Sequence, residues 1–229
     1  MSHGAERAGR LGAAADALGL QLSDGQFEQL LGYLELIAKW NKVYNLTAVR
    51  DPEEMLVQHL FDSLAVVDPL RRQTAGASIR LLDVGSGAGL PGVVIAVCCP
   101  EIQVECVDTV GKKAAFVQQV AAQLKVPNLK GVHDRVENLK GAYDVICSRA
   151  FASLQDFVSW SGAALAGQGV WLAMKGKQPA AEIEELPPAA EVFHVEQLSV
   201  PELAAERCIV WMRKRPDGEM GTSLSGDGR

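Results

Sequence analysis

Apolar residues recur at helical spacing in the first third of the chain. Further on they gather into short runs of strand length. Phe27, Leu30, Leu31, Leu34 and Ile37 keep one helical face, and Ser23 with Gln26 three residues on forms a capping-box pattern at its start. The stretch Trp40–Thr47 (WNKVYNLT) is aromatic and polar and breaks that spacing. A second helix is predicted from Asp51-Pro52-Glu53-Glu54, with Asp as cap, Pro at the first helical position and Glu three after the cap. It should run to about Val67 and be closed by Pro69, with Arg71–Ser78 as a polar linker. From Ile79 the pattern alternates. Strands are predicted over Ile79–Val84, Gln103–Asp108, Leu129–His133, Tyr143–Ser148 and Val170–Lys175, with helices near Pro91–Cys99, Lys112–Leu124 and Leu154–Leu165. Such alternation implies a doubly wound α/β fold around a mostly parallel sheet. Val192–Leu198 and Cys208–Arg213 are too close in the chain for a parallel crossover and predict a terminal antiparallel hairpin. The expected organisation is an N-terminal helical extension (1–75), a sheet domain (76–214) and a disordered Gly/Ser/Asp-rich tail (215–229).

Composition narrows the class. A chain of 229 residues, 48% hydrophobic and 22% charged, suits one substantial core. The longest apolar run, Val93–Cys99, is far below the roughly 18 residues of a membrane span, so no membrane association is expected. Leu11–Leu22 is Ala-rich but interrupted by Asp16 and lacks a cleavage pattern, so no signal peptide is expected. Cys98, Cys99, Cys106, Cys147 and Cys208 form no C-x-x-C pair and have no His at ligand spacing. They read as small buried hydrophobes in a reducing cytoplasm, with no metal site. The net charge of −6 argues against indiscriminate nucleic-acid binding. Yet Gly111–Lys177 holds nine Lys and Arg against four Asp and Glu, a local excess of five positive charges.

The chemistry-bearing segment is Leu81–Gly92 (LLDVGSGAGLPG), a strand running into Asp83-Val84-Gly85-Ser86-Gly87-Ala88-Gly89 and then a helix. Glycines let the backbone turn sharply at the strand end and approach a ligand where a Cβ would clash. The spacing is G-x-G-x-G, with Leu90 where the dinucleotide fingerprint has its third glycine, and no Gly-Lys-Ser/Thr follows for a P-loop. Asp83, two residues before the first glycine, would repel a pyrophosphate but suits a cationic ligand, directly or through water. Asp108, ending the next strand, can accept from both hydroxyls of a ribose. Together these favour S-adenosylmethionine, and hence a Rossmann-like class I methyltransferase fold, over a nicotinamide or flavin cofactor.

Beyond this turn the chain resembles the bacterial 16S ribosomal RNA guanine-N7 methyltransferases, known as RsmG or GidB, from about Asp24 to Lys214. The segments that carry the resemblance are Trp40–Val49 (WNKVYNLTAV), His59–Leu64 (HLFDSL), Leu81–Gly92, Val107–Phe116 (VDTVGKKAAF) and Ser148–Leu154 (SRAFASL). The first, second and last are not general methyltransferase features. The resemblance implies cofactor contacts at Gly85, Leu90, Val136, Glu137 and Arg149, to which the turn adds Asp83, Gly87 and Asp108. Ala88 stands where the family often has Pro, and Lys112-Lys113 where Lys-Arg is common. The implied reaction is methyl transfer to guanine N7 in the decoding-region loop of 16S rRNA. The implied partner is that rRNA or the small ribosomal subunit, not DNA, and the protein is expected to act as a monomer. Guanine N7 has a free lone pair and no proton to lose, so no catalytic residue is expected and proximity should supply the rate.

Other residues compete with plainer roles. Asn45, Thr47, Lys112, Lys113, Arg149 and Lys175 are the candidate substrate contacts, with Lys177 as a further phosphate contact. His59, between Leu56 and Leu60, reads as a packed residue ahead of a catalytic base. Asp62 and Ser63 read as support for the helix-to-sheet junction ahead of a substrate role. Trp40 and Tyr44 read as packing ahead of base stacking. Ser148 ends a strand on the ligand edge, and Phe151 suits either base stacking or loop anchoring. A small-molecule methyltransferase and a non-catalytic ribosome-assembly factor with a vestigial pocket are the rival functions.

Overall fold

The computed structural model describes residues 3–151 and 153–216. Residues 217–229 of the expected tail lie outside the described residues. Arg215, which was expected in that tail, is ordered by the sheet: its N–H donates to the Ala189 carbonyl at 2.9 Å.

Five strands run parallel: β1 (Arg80–Val84), β2 (Gln103–Asp108), β3 (Leu129–His133), β4 (Tyr143–Arg149) and β5 (Leu165–Lys175). Two more, β6 (Ala190–Leu198) and β7 (Arg207–Lys214), pair antiparallel. The order is β3-β2-β1-β4-β5-β7-β6, with β7 inserted antiparallel beside β5. The α/β architecture and the terminal hairpin are therefore as the sequence predicted. Central strands read as apolar runs because helices cover both faces, and Leu81, Leu82, Cys106, Ile146 and Cys147 are all buried. All five cysteines are free and buried, and burial pushes the Cys98 thiol up to about 12. Among the described residues no helix is long and apolar enough to cross a membrane.

The N-terminal third departs from the predicted outline. A helix α1 (His3–Ala17) precedes the first predicted one, and Arg7 and Arg10 tie it to Glu53. Helix α2 (Asp24–Tyr44) begins at the Ser23–Gln26 capping box, as expected, but continues through Trp40 and Tyr44. Tertiary packing overrides the polar spacing there: the Trp40 ring lies 5.1 Å from Tyr44 and 5.2 Å from Phe116. Asp51 caps α3 (Pro52–Met55), accepting from the N–H groups of Glu53 and Glu54. A π-helical turn over Leu56–Phe61 follows, then α4 (Asp62–Leu64) and α5 (Val67–Thr74). Pro69 therefore closes nothing. It is the third residue of α5, where a missing N–H costs no intrahelical bond, so the expected linker is partly helix.

Leu30, Tyr33, Leu34 and Ile37 of α2 join one apolar cluster with Val93, Val94 and Ile95 of α6 (Gly92–Cys98) and Phe116 and Val117 of α7 (Gly111–Gln123). The helical extension and the sheet domain thus share a core. The remaining helices, α8 (Leu154–Ser161) and α9 (Ala180–Glu184), flank β5 in the chain.

Candidate active site

The turn after β1 is left-handed at its three glycines, with φ of +65° at Gly85, +60° at Gly87 and +90° at Gly89. Glycine adopts these angles without the steric cost a Cβ would bring. A Cβ on Gly85 would also come within 3.1 Å of the Phe151 ring, and one on Gly92 within 2.5 Å of Cys106 Sγ. Nearly every N–H of the turn is engaged inside the protein. Those of Gly85 and Ser86 reach the Val107 carbonyl at 2.9 and 3.2 Å, and that of Gly87 reaches Asp108 Oδ2 at 3.0 Å. Those of Gly89 and Leu90 reach the Ser86 carbonyl. These donors leave no phosphate cradle, which agrees with a nucleoside ligand that carries no phosphate.

Beside the turn lies a cavity of about 480 Å³, walled by Gly85, Asp108, Lys113, Val136, Glu137, Phe151 and Trp160 among others. Asp108 Oδ1 also accepts from the Val110 N–H at 2.8 Å, and Lys113 Nζ lies 3.6 Å from Oδ2. The carboxylate is thereby fixed at the β2 end, where it can meet a ribose. A 3₁₀ turn over Val136–Asn138 brings Val136 and Glu137 to the same cavity. Of the expected cofactor residues, Gly85, Asp108, Val136 and Glu137 meet here. Asp83, Gly87 and Leu90 are not on its wall, and Leu90 is buried ahead of a cis Leu90–Pro91 bond.

Asp83 is fully buried, and its Oδ2 accepts from the Gly92 N–H at 2.8 Å. Burial pushes its carboxyl up to about 7 against the opposing pull of that hydrogen bond. Among the described residues, its Oδ1 and the Ser86 hydroxyl are buried with no protein partner. Two such orphans at the glycine turn are what a bound cationic group, or water serving it, would satisfy. Tyr33 of α2 supports the turn, its hydroxyl donating to the Ala88 carbonyl at 2.7 Å.

Arg149 ends β4 but does not line that cavity. It lines a second one of about 370 Å³, together with Gln58, His59, Asp62, Lys175 and Arg207. Phe151 is common to both cavities. Asp62, 4% exposed, accepts from Arg149 NH1 at 3.0 Å on Oδ2 and from Arg207 Nε at 2.8 Å on Oδ1. Arg149 NH1 also donates to the Gln58 carbonyl at 2.7 Å. The π turn makes that acceptor available: the Asp62 N–H bonds the carbonyls of Val57 and His59, on either side of Gln58. π turns of this kind often mark functional positions. Lys175 pairs with Glu182 at 2.8 Å.

His59 is buried and its Nε2 meets Thr47 Oγ1 at 2.9 Å. Burial, reinforced by the Arg149 charge, lowers its pKa to about 4, so it is neutral at pH 7. Thr47 therefore anchors His59 and lines neither cavity, and Asn45 ends α2 at a left-handed φ of +47° with its amide oxygen held by Arg50. Lys112 is exposed in the first turn of α7 and lines neither cavity. Sequence reasoning missed Arg207, Gln58 and Trp160. Arg207 had a usable signal: an antiparallel last strand begins where β5 ends, which pairs Cys208 with Lys175 and sets Arg207 beside it.

The chain matches, over residues 26–210, the family model described as "GidB: rRNA small subunit methyltransferase G". A ribosomal RNA small subunit methyltransferase G of Paracidovorax citrulli is 63% identical, covering 94% of this chain and 93% of that protein. The protein of the same name from a Polaromonas species is 67% identical, covering 89% and 92%. Among solved structures, the magnesium protoporphyrin IX methyltransferase of Synechocystis, with bound SAM, aligns with a TM-score of 0.57 at 13% identity, over 80% of this chain and 97% of that one. TrmN from Thermus thermophilus aligns with a TM-score of 0.53 at 16% identity, over 70% and 53%. These two likenesses are of fold.

Proposed function

The chain belongs to the rRNA small subunit methyltransferase G family, and from that premise we propose that it methylates N7 of a guanine in the decoding-region loop of 16S rRNA, using S-adenosylmethionine. The observation that carries this reading is the Asp62–Arg149 pair, 3.0 Å apart. It brings the HLFDSL and SRAFASL segments, two of those that set the family apart, together beside the cofactor-type cavity.

When bound, S-adenosylmethionine supplies a methyl group on cationic sulfur, which the N7 lone pair takes while the carbon–sulfur electron pair stays on the departing thioether. The guanine gains the positive charge and no proton moves, so the chain needs no acid or base. Asp108 would hold the ribose, Val136 and Glu137 the base of the cofactor, and the orphaned Asp83 Oδ1 and Ser86 Oγ its ammonium end through water. Phe151, common to the two cavities, would stand where cofactor and acceptor meet. Catalysis then comes from holding N7 in line with the methyl carbon at near-attack distance. We place the protein in the cytoplasm as a monomer, where its substrate is the rRNA or the small subunit.

The test is N7-methylguanosine mapping in rRNA from cells with and without the protein. Borohydride and aniline cleavage at one 16S guanine should depend on the protein. Cleavage at that guanine in both samples overturns the assignment.

A further inference from the structure

We propose that the Arg207 side of the cavity at the ends of β4, β5 and β7 is an oxyanion site for a backbone phosphate of the RNA substrate, and that Asp62 is the positioning residue that sets its guanidinium. The inference rests on the rRNA reading above and gives it residues.

The cavity wall carries three cations, Arg149, Lys175 and Arg207, against the single carboxylate of Asp62. His59 adds no charge at neutral pH. Lys175 is in turn paired with Glu182 at 2.8 Å, which leaves one net positive charge in a concave, half-buried place. Asp62 holds one guanidinium on each oxygen, and each arginine has one backbone acceptor as well, Gln58 for Arg149 and Glu206 for Arg207. A guanidinium has five N–H donors. Among the described residues, Nη2 of Arg207 meets no protein acceptor. A guanidinium fixed by a carboxylate on one edge and a carbonyl on another presents its remaining donors in a set geometry, which suits the oxygens of a phosphodiester.

The same donors would suit a carboxylate, including that of the cofactor, and position separates the two. Arg207 stands on β7, three strands from β1 in the order β1-β4-β5-β7. At roughly 4.8 Å per strand that is about 14 Å from the glycine turn, with the Phe151 ring belonging to both cavities between. Position therefore favours the RNA phosphate at Arg207.

The experiment compares wild type with Arg207→Ala, Arg207→Lys and Asp62→Asn. It measures cofactor affinity by calorimetry, and KM and kcat for small ribosomal subunits from cells lacking the protein, across a salt series. Arg207→Ala should raise KM for subunits about tenfold, the worth of one charge-assisted hydrogen bond, with no change in cofactor affinity. It should also reduce the salt slope of RNA binding by about one. Arg207→Lys should keep the slope and recover only part of the KM, because an ammonium lacks the fork.

Asp62→Asn separates positioning from charge. Removing a negative charge beside an anion site tightens RNA binding if Asp62 acts through charge alone. A raised KM despite the added positive charge identifies positioning. A cofactor affinity that falls in Arg207→Ala while KM for subunits stays fixed assigns the cavity to the cofactor carboxylate and overturns the proposal. So does a folded Arg207→Ala in which neither changes. Wild-type protein that transfers no methyl group to subunits, yet binds them with a slope reduced by Arg207→Ala, overturns the methylation reading and keeps the phosphate site.

Discussion

The two cavities that meet at Phe151 are built in opposite ways. The one at β1 and β2 is centred on backbone and nearby residues, though Val136, Glu137, Phe151 and Trp160 complete its wall: Gly87 bonds Asp108 across 21 residues, and Asp108 bonds Val110 two residues on. The one at β4, β5 and β7 is made of charged side chains from distant segments, with Asp62 joined to Arg149 across 87 residues and to Arg207 across 145. A site of the first kind is local and satisfied in its backbone, so it can be recognised from a short motif. A site of the second kind exists only once the chain has closed, and its integrity depends on a buried carboxylate.

The contrast is most exposed to Asp62→Ala. Removing the carboxylate leaves two guanidiniums, each about a quarter exposed or less, without their shared counter-charge. The expected loss is about 3 kcal/mol in urea unfolding, near the lower end for broken buried pairs because both arginines keep some solvent. A loss under about 1 kcal/mol would mean that the carboxylate does not hold that side together.

Next comes Asp108→Ala, which should weaken cofactor binding by roughly 10- to 100-fold while RNA affinity stays constant, since the lost acceptor serves a ribose and not the second cavity. Calorimetry with S-adenosylhomocysteine checks this. An equal loss of RNA affinity would erase the division between the two sides.

The third test uses pH. His59 has a folded pKa of about 4, below its ordinary 6.5, so between those values the unfolded chain binds the extra proton. Its contribution is fully present above pH 6.5 and is lost as pH falls toward 4. Stability should drop by about 2 kcal/mol between pH 7 and 5 from this group. His59→Gln should flatten that part of the profile, and an unchanged slope would show that another group titrates there.

The smallest effect is expected from Tyr33→Phe. It removes a buried hydroxyl that donates to Ala88 at 2.7 Å, at a cost of about 1–2 kcal/mol. Cofactor affinity should fall with it only modestly, because the rest of the turn holds itself. A collapse of cofactor binding would mean that α2, and not the turn's own hydrogen bonds, sets the glycine geometry.

Legibility follows the same divide. The Ser23–Gln26 box, the Asp51 cap and the seven strands were readable because capping and strand burial are decided within a few residues. Pro69 misled, since its effect depends on where a helix starts and not on its presence. Trp40 and Tyr44 misled because Phe116, far along the chain, makes a helical continuation favourable. The π turn over Leu56–Phe61 has no local signature, and only Arg149 reveals the Gln58 carbonyl it provides.

By itself, then, the amino-acid sequence determined the α/β alternation, the glycine turn with Asp108 at the next strand end, and, through its characteristic segments, the family. These depend on backbone preferences and on patterns that neighbours enforce. Tertiary structure alone decided that Asp83 lies under the turn and not on the cavity wall. It also decided that Arg149 faces the second cavity and that Arg207 joins it there. Each of those outcomes is set by which charge is buried against which, and burial is a property of the closed fold.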